Sequence, residues 1–177
     1  MIRNSSLALI LALMPSSLMA IPTAYKTVAD QYHIPADILY AIALTESGYR
    51  YQSIYNPWPW TLNIEGKAYR FTTRKDTLAK LQEAVTRKQS VDIGLMQVNW
   101  RWHNTRFDDL SASLNPMINL QTGAEILRGQ YQRDNNWWVA VGRYHAPGKD
   151  KKSKARAQRY RERVRKHWQR LMKQRGK

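Results

Sequence analysis

Apolar residues recur at helical intervals along most of this chain. Between Thr23 and His33, Tyr25, Val28, Ala29 and Tyr32 share one face, which predicts a first helix capped by Thr23. Pro35 suits the first turn of a second helix that carries Ile38, Leu39, Ile42 and Ala43 inward and stops at Gly48. Residues 56–72 break the pattern. There Thr61 to Ile64 and Lys67 to Phe71 flank Glu65-Gly66, which reads as a short hairpin with a two-residue turn. Helix resumes from about Lys75 to Lys88, with Leu78, Leu81 and Val85 inward. Asn115-Pro116 opens a long helix whose buried side is Ile118, Leu120, Ala124, Leu127 and Tyr131. A shorter aromatic-rich helix follows from Asn136 to Tyr144. The last predicted helix, Ser153 to Lys173, sets Tyr160, Val164, Trp168 and Leu171 three and four residues apart. The expectation is a mainly α protein with one small hairpin and no internal repeat.

The N-terminus and the charge change this picture. Arg3, the apolar run Leu7 to Met14, Pro15 with two serines, and Leu18-Met19-Ala20 follow the layout of a secretory signal peptide, with cleavage expected after Ala20. The apolar run is too short to span a bilayer, which needs about 20 residues. The expected division is a signal peptide over 1–20, a catalytic-sized domain over 21–148 and a basic helical tail over 149–177. That tail holds 14 Lys/Arg against 2 Asp/Glu, most of the chain's net charge of +16. Cysteine is absent, which closes both a lipid anchor at the cleavage site and thiolate zinc sites. The four histidines (His33, His103, His145, His167) show no HExxH-like spacing, so neither metal nor cofactor is expected. The protein is expected to be exported and periplasmic.

Three segments carry candidate chemistry. Glu46 lies in the last turn of the second helix, in line with Ile42 and Leu39, where a negative charge opposes the helix dipole. A general acid for glycoside cleavage needs a pKa raised by burial; a carboxyl beside apolar side chains has that setting, and Ser47 follows with a hydroxyl able to orient it. The plainer reading is a structural glutamate paired with Arg50 or Arg143. The second segment is Gly94-Leu95-Met96-Gln97-Val98-Asn99, whose amides suit sugar hydroxyls and acetamido groups. The third is Tyr144-His145-Ala146-Pro147-Gly148, a tyrosine at a helix end.

Together, Glu46-Ser47 at a helix end, GLMQ at 94–97 with Asn99, and a late Tyr144 before Pro-Gly resemble the lytic transglycosylases of the soluble Slt type. The style is that of small single-domain members accompanying conjugation, pilus and secretion machines. The resemblance runs from Thr23 to Gly148. It implies a lysozyme-like helical domain, with the hairpin as an elaboration. It also implies cleavage of the β-1,4 bond from N-acetylmuramic acid to N-acetylglucosamine. Glu46 would act as sole acid and base, and the product would be a 1,6-anhydro sugar. Ser47 and Tyr144 would support Glu46, while Met96, Gln97 and Asn99 would line the sugar cleft. Tyr144-His145 departs from the family's usual Tyr-Asn, and the span from Glu46 to Gly94 is longer than in its smallest members. Trp58, Trp60, Tyr69 and Phe71 in that span read as a satellite core, or as platforms for sugar rings.

Other readings stay open. A hydrolysing muramidase requires a second carboxylate, for which Asp92 and Glu65 are the nearby candidates. A non-catalytic peptidoglycan-binding scaffold is the third. The charge of the basic tail suits an anionic wall polymer or a membrane surface; its apolar positions Tyr160, Val164, Trp168 and Leu171 allow it to dock on its own domain or to lie on a membrane, and a solvated extension is the plain alternative. Nucleic acid is the usual partner of such a stretch, but an exported chain seldom meets it.

Overall fold

A computed structural model describes residues 20–52 and 54–175. The expected signal peptide, apart from Ala20, lies outside the described residues. The elements are α1 (Thr23–Gln31), α2 (Ala36–Ser47), β1 (Gly48–Tyr51), β2 (Ile54–Pro57), β3 (Thr61–Ile64), β4 (Lys67–Arg70) and α3 (Arg74–Thr86). After these come β5 (Val91–Ile93), β6 (Val98–Asn99), α4 (Trp100–His103), two 3-10 turns (Asn104–Arg106 and Ala112–Leu114), α5 (Pro116–Tyr131), α6 (Trp137–His145) and α7 (Lys151–Arg175).

Helix α2 is the axis. Every residue from Ile38 to Leu44 is buried, so it is wrapped on all sides by α1, α7 and the β1–β2 hairpin. Helices α5, α6 and α7 pack in series around it, and a single apolar core joins Tyr25, Leu39, Ile42, Met96, Leu127, Val141, Tyr160 and Val164. A second, smaller core fills the space between α3 and a four-stranded antiparallel sheet of order β4-β3-β5-β6; Leu62, Ile64, Leu81, Val91 and Ile93 form it. The result is the expected mainly α, lysozyme-like arrangement with a small sheet at its side.

Local chemistry explains most boundaries. Asn115 caps α5 by accepting from Met117 N at 2.9 Å, with Pro116 in the first turn, and Asn136 caps α6 by accepting from Val139 N at 3.1 Å. Thr73 caps α3 through Asp76 N at 3.1 Å. The β3–β4 hairpin turns on Glu65 and Gly66 as expected, both with positive φ (49° and 85°). Thr23 does not cap α1; Pro22 holds that position and Thr23 is the first helical residue.

Two features matter for function. Segment 91–99 is itself a hairpin, β5 paired with β6, whose connection is the Gly94 to Gln97 turn. Strands of three and two residues are too short to show an alternating pattern. The other is that, of the courses open to the basic helical tail, docking on its own domain is the one seen. Helix α7 packs along α2 and α6, burying Tyr160, Val164 and Leu171, while Trp168 Nε1 donates to Asp37 Oδ2 at 2.7 Å. It is a wall of the same packed body rather than an appendage.

Candidate active site

A cleft of about 900 Å³ opens between the α2 terminus, the β3-β5-β6 face of the sheet, and α6 with α7. Glu46 lies in it, brought there by the last turn of α2. Its carboxylate oxygen Oε1 accepts a 2.6 Å hydrogen bond from the Tyr160 hydroxyl, across 114 residues of sequence. Burial pushes the Glu46 pKa up from 4.5 to about 7; the Tyr160 hydrogen bond and the Arg163 charge pull it down, and the Asp92 charge pushes it up. Desolvation wins because one donated hydrogen bond restores only part of the lost hydration. Tyr160 and Tyr144 are each held well above the ordinary phenol pKa, chiefly by burial and then by the Glu46 charge, so both remain donors.

Among the described residues no salt bridge to Glu46 is seen. Arg143 pairs with Asp134, and Arg50 sits with its guanidinium 6.0 Å from the Tyr55 ring centre. The cation that faces Glu46 is Arg163, which lines the cleft.

The 94–97 turn forms the opposite lip. Gly94 has φ +77°, and a Cβ there would lie 2.7 Å from the Asn119 side chain. That close approach lets Asn119, from α5, clamp the turn: its Oδ1 accepts from Met96 N at 2.9 Å while its Nδ2 donates to Ile93 O at 2.9 Å and Ser113 O at 3.1 Å. Gln97, at φ +47°, donates from Nε2 to Gly94 O at 2.9 Å and Thr61 O at 3.2 Å, and faces the cleft.

The expected supporting residues divide. Gln97, Asn99 and Tyr144 line the cleft with Glu46. Met96 does not line it: its side chain is fully buried in the main core, so packed against α5 that a Cβ on Gly123 would lie 2.5 Å from it. Ser47 does not touch the Glu46 carboxyl among the described contacts. Its buried hydroxyl donates to Leu95 O at 2.7 Å, tying the end of α2 to the turn. Tyr144 likewise acts on the turn, donating to Met96 O at 2.7 Å. Both hydroxyls thus hold the 94–97 turn, Ser47 from the end of α2 and Tyr144 from α6.

The sheet supplies a row of acceptors. In register across β3, β5 and β6, Asn63, Asp92 and Asn99 are neighbours, and all three line the cleft. Asn99 donates from Nδ2 to Asp92 Oδ1 at 2.7 Å and to Ser90 Oγ at 3.1 Å, which fixes its amide orientation. The Oδ1 atoms of Asn63 and Asn99 are buried without a hydrogen-bond partner among the described residues. Buried carbonyl oxygens left open in a polar cleft suit the hydroxyl and amide donors of a sugar. Asp92 is the second carboxylate here, its pKa raised by burial. Glu65 is outside the cleft, accepting from Ser90 N at 2.6 Å.

Trp58, Trp60, Tyr69 and Phe71 do not line the cleft. Tyr69 and Phe71 pack on the second core, and Trp58 stacks with Tyr51 at 5.4 Å and meets Trp60 edge-on at 5.7 Å. The tryptophan at the cleft lip is Trp102, 76 % exposed. Sequence reasoning missed Trp102, Asn63, Arg163 and above all Tyr160. The helical spacing placed Tyr160 inward, but no local pattern pairs it with position 46.

A family model described as Transglycosylase SLT domain matches residues 23–167, a span that takes in Glu46, the 94–99 turn and Tyr160. No curated protein and no solved structure matches the chain.

Proposed function

The chain belongs to the SLT-domain transglycosylases, enzymes that cleave peptidoglycan as lytic transglycosylases, and on that premise we propose that Glu46 alone carries both proton transfers. The bond cut is the β-1,4 link from N-acetylmuramic acid to N-acetylglucosamine. Protonated Glu46 gives its proton to the bridging oxygen as the bond to the anomeric carbon breaks, and the bond's electron pair leaves with that oxygen. The Glu46 carboxylate then takes the proton of the muramic acid C6 hydroxyl, whose oxygen closes onto the anomeric carbon. The product is a 1,6-anhydro end, and no water enters the balance. Glu46 is regenerated as the acid.

One observation carries this reading: a carboxyl lifted by burial to about 7 and held by a phenol at 2.6 Å inside the cleft. A pKa near neutrality suits a group that must give and then recover a proton. Tyr160 supports the second half of the cycle, since its hydrogen bond favours the carboxylate. Gln97, Asn99 and Tyr144 are proposed as substrate-binding and supporting groups, joined by Asn63. Ser47 is proposed as a positioning residue acting through Leu95. Export to the periplasm and service to a secretion, conjugation or pilus machine complete the proposal. Its support is the signal-peptide layout of residues 1–20 and the style of the Glu46-Ser47 and 94–99 motifs. No helix among the described residues is long and apolar enough to cross a membrane.

Asp92 favours the runner-up, a hydrolytic muramidase, because a second carboxylate in the same cleft is what water activation requires. Mass spectrometry of products from purified peptidoglycan distinguishes the two: anhydro-muropeptides are expected, and reducing ends would transfer the reaction to hydrolysis. Glu46→Gln is expected to lower the rate by at least about 10²-fold with the fold intact. Undiminished release by that variant would remove Glu46 from the chemistry.

A further inference from the structure

Six cations form a line on α7. Arg156, Arg159, Arg163, Lys166, Arg170 and Lys173 follow at alternating steps of three and four residues, and all are exposed. At 3.6 residues per turn those steps keep them on one flank of the helix over about 25 Å. Among the described residues, none of the six enters a salt bridge. The single acid of α7, Glu162, borders this line, three residues after Arg159 and four before Lys166, and accepts from Gln158 at 3.3 Å. Like charges three and four apart on a helix repel, and one carboxylate among six cations leaves most of that repulsion unanswered unless a further anion lies along the flank.

The line is continuous with the cleft. Arg163 lines the cleft that holds Glu46, and Arg156 and Arg163 both act on His145, another cleft residue. Towards the other end, Lys166, Arg170 and Lys173, with Gln169, surround a separate pocket of about 230 Å³. A single-file track that leads into the cleft fits a linear polymer already seated there better than it fits a flat bilayer. The peptide stems of peptidoglycan branch from the glycan and carry carboxylates.

We propose that this flank of α7 is a docking track for the anionic peptide stems of the strand whose glycan occupies the cleft. The inference rests on the peptidoglycan-cleaving reading of the cleft. The track selects stem-bearing strands over stripped ones, and binding along it is electrostatic.

The test is co-sedimentation of the full chain carrying Glu46→Gln, which binds without digesting, with peptidoglycan and with the same glycan stripped of stems by an amidase. Adding Lys166→Glu, Arg170→Glu and Lys173→Glu together is expected to weaken binding to stem-bearing peptidoglycan about tenfold and to leave the stripped glycan unaffected. Equal loss on both, loss on neither, or loss confined to vesicles of anionic phospholipid would overturn the proposal. Should the triple variant fail to fold, salt decides. Raising it between roughly 50 and 300 mM is expected to weaken stem-bearing binding alone, and salt-independent binding would overturn the track. With Glu46 restored, the triple variant is expected to cleave stripped glycan at the parent rate. Failure of the Glu46 chemistry would show instead as activity surviving in Glu46→Gln.

Discussion

Near neutral pH the Glu46 carboxyl is divided between its two protonation states, because burial has lifted it from 4.5 to about 7. Its folded value is raised, so the protein holds the protonated form more tightly than the unfolded chain does. That contribution to stability is fully present below about 4.5 and is lost as pH rises through about 7. Glutamine cannot ionise, yet its carbonyl can still accept from Tyr160. Glu46→Gln is therefore expected to melt higher than the parent at pH 8, by an amount on the order of 2 kcal/mol, and to match it more closely at pH 5. Thermal denaturation at the two values checks this, and a pH-independent difference would contradict it. Tyr160→Phe removes a donor that lowers the Glu46 pKa. The basic limb of its pH–rate profile is expected to move to higher pH, with a rate loss of about tenfold. A limb that stays put would mean that the phenol only packs.

Between elements, the site depends on how the end of α2 is held against the 94–97 turn. Ser47, Tyr144 and Asn119 each hydrogen-bond a backbone group of that turn. Asn119→Ala leaves three buried backbone partners unmet, for an expected loss of about 2–4 kcal/mol by urea denaturation. Gly94→Ala should also destabilise, since its φ of +77° and the nearby Asn119 oppose any side chain. Loss below about 0.5 kcal/mol for the Asn119 variant would deny the clamp. The helices were legible because periodicity and capping residues such as Asn115, Pro116 and Asn136 are local signals. The GLMQ turn was legible as a motif, but not as the loop of a hairpin, because β5 and β6 are too short to print a period. Met96 misled for a related reason. A motif names a segment, whereas the turn buries Leu95 and Met96 in the core and brings Gln97 to the cleft.

At the scale of the molecule, α7 is what sequence reading understated. Its apolar positions Tyr160, Val164, Trp168 and Leu171 were visible, but the charge around them reads equally well as a solvated extension. What decides between the two is packing on α2 and α6, a contact between distant parts of the chain. Burying Tyr160, Val164 and Leu171 contributes about 1.5–3 kcal/mol each, which together rivals the net stability of a typical domain, about 5–15 kcal/mol. A chain ended after Gly148 is expected to lose its cooperative melt by circular dichroism and all cleavage of peptidoglycan. A truncated protein that still melts cooperatively and cleaves would make α7 dispensable. The span of 114 residues between Glu46 and Tyr160 has one more effect, set by the order of synthesis. A ribosome delivers the glutamate long before the tyrosine, so a nascent or prematurely halted chain has the acid without its phenol. The same holds for a chain clipped ahead of α7. Full wall-cutting capacity is thereby expected only of polypeptides in which α7 has seated.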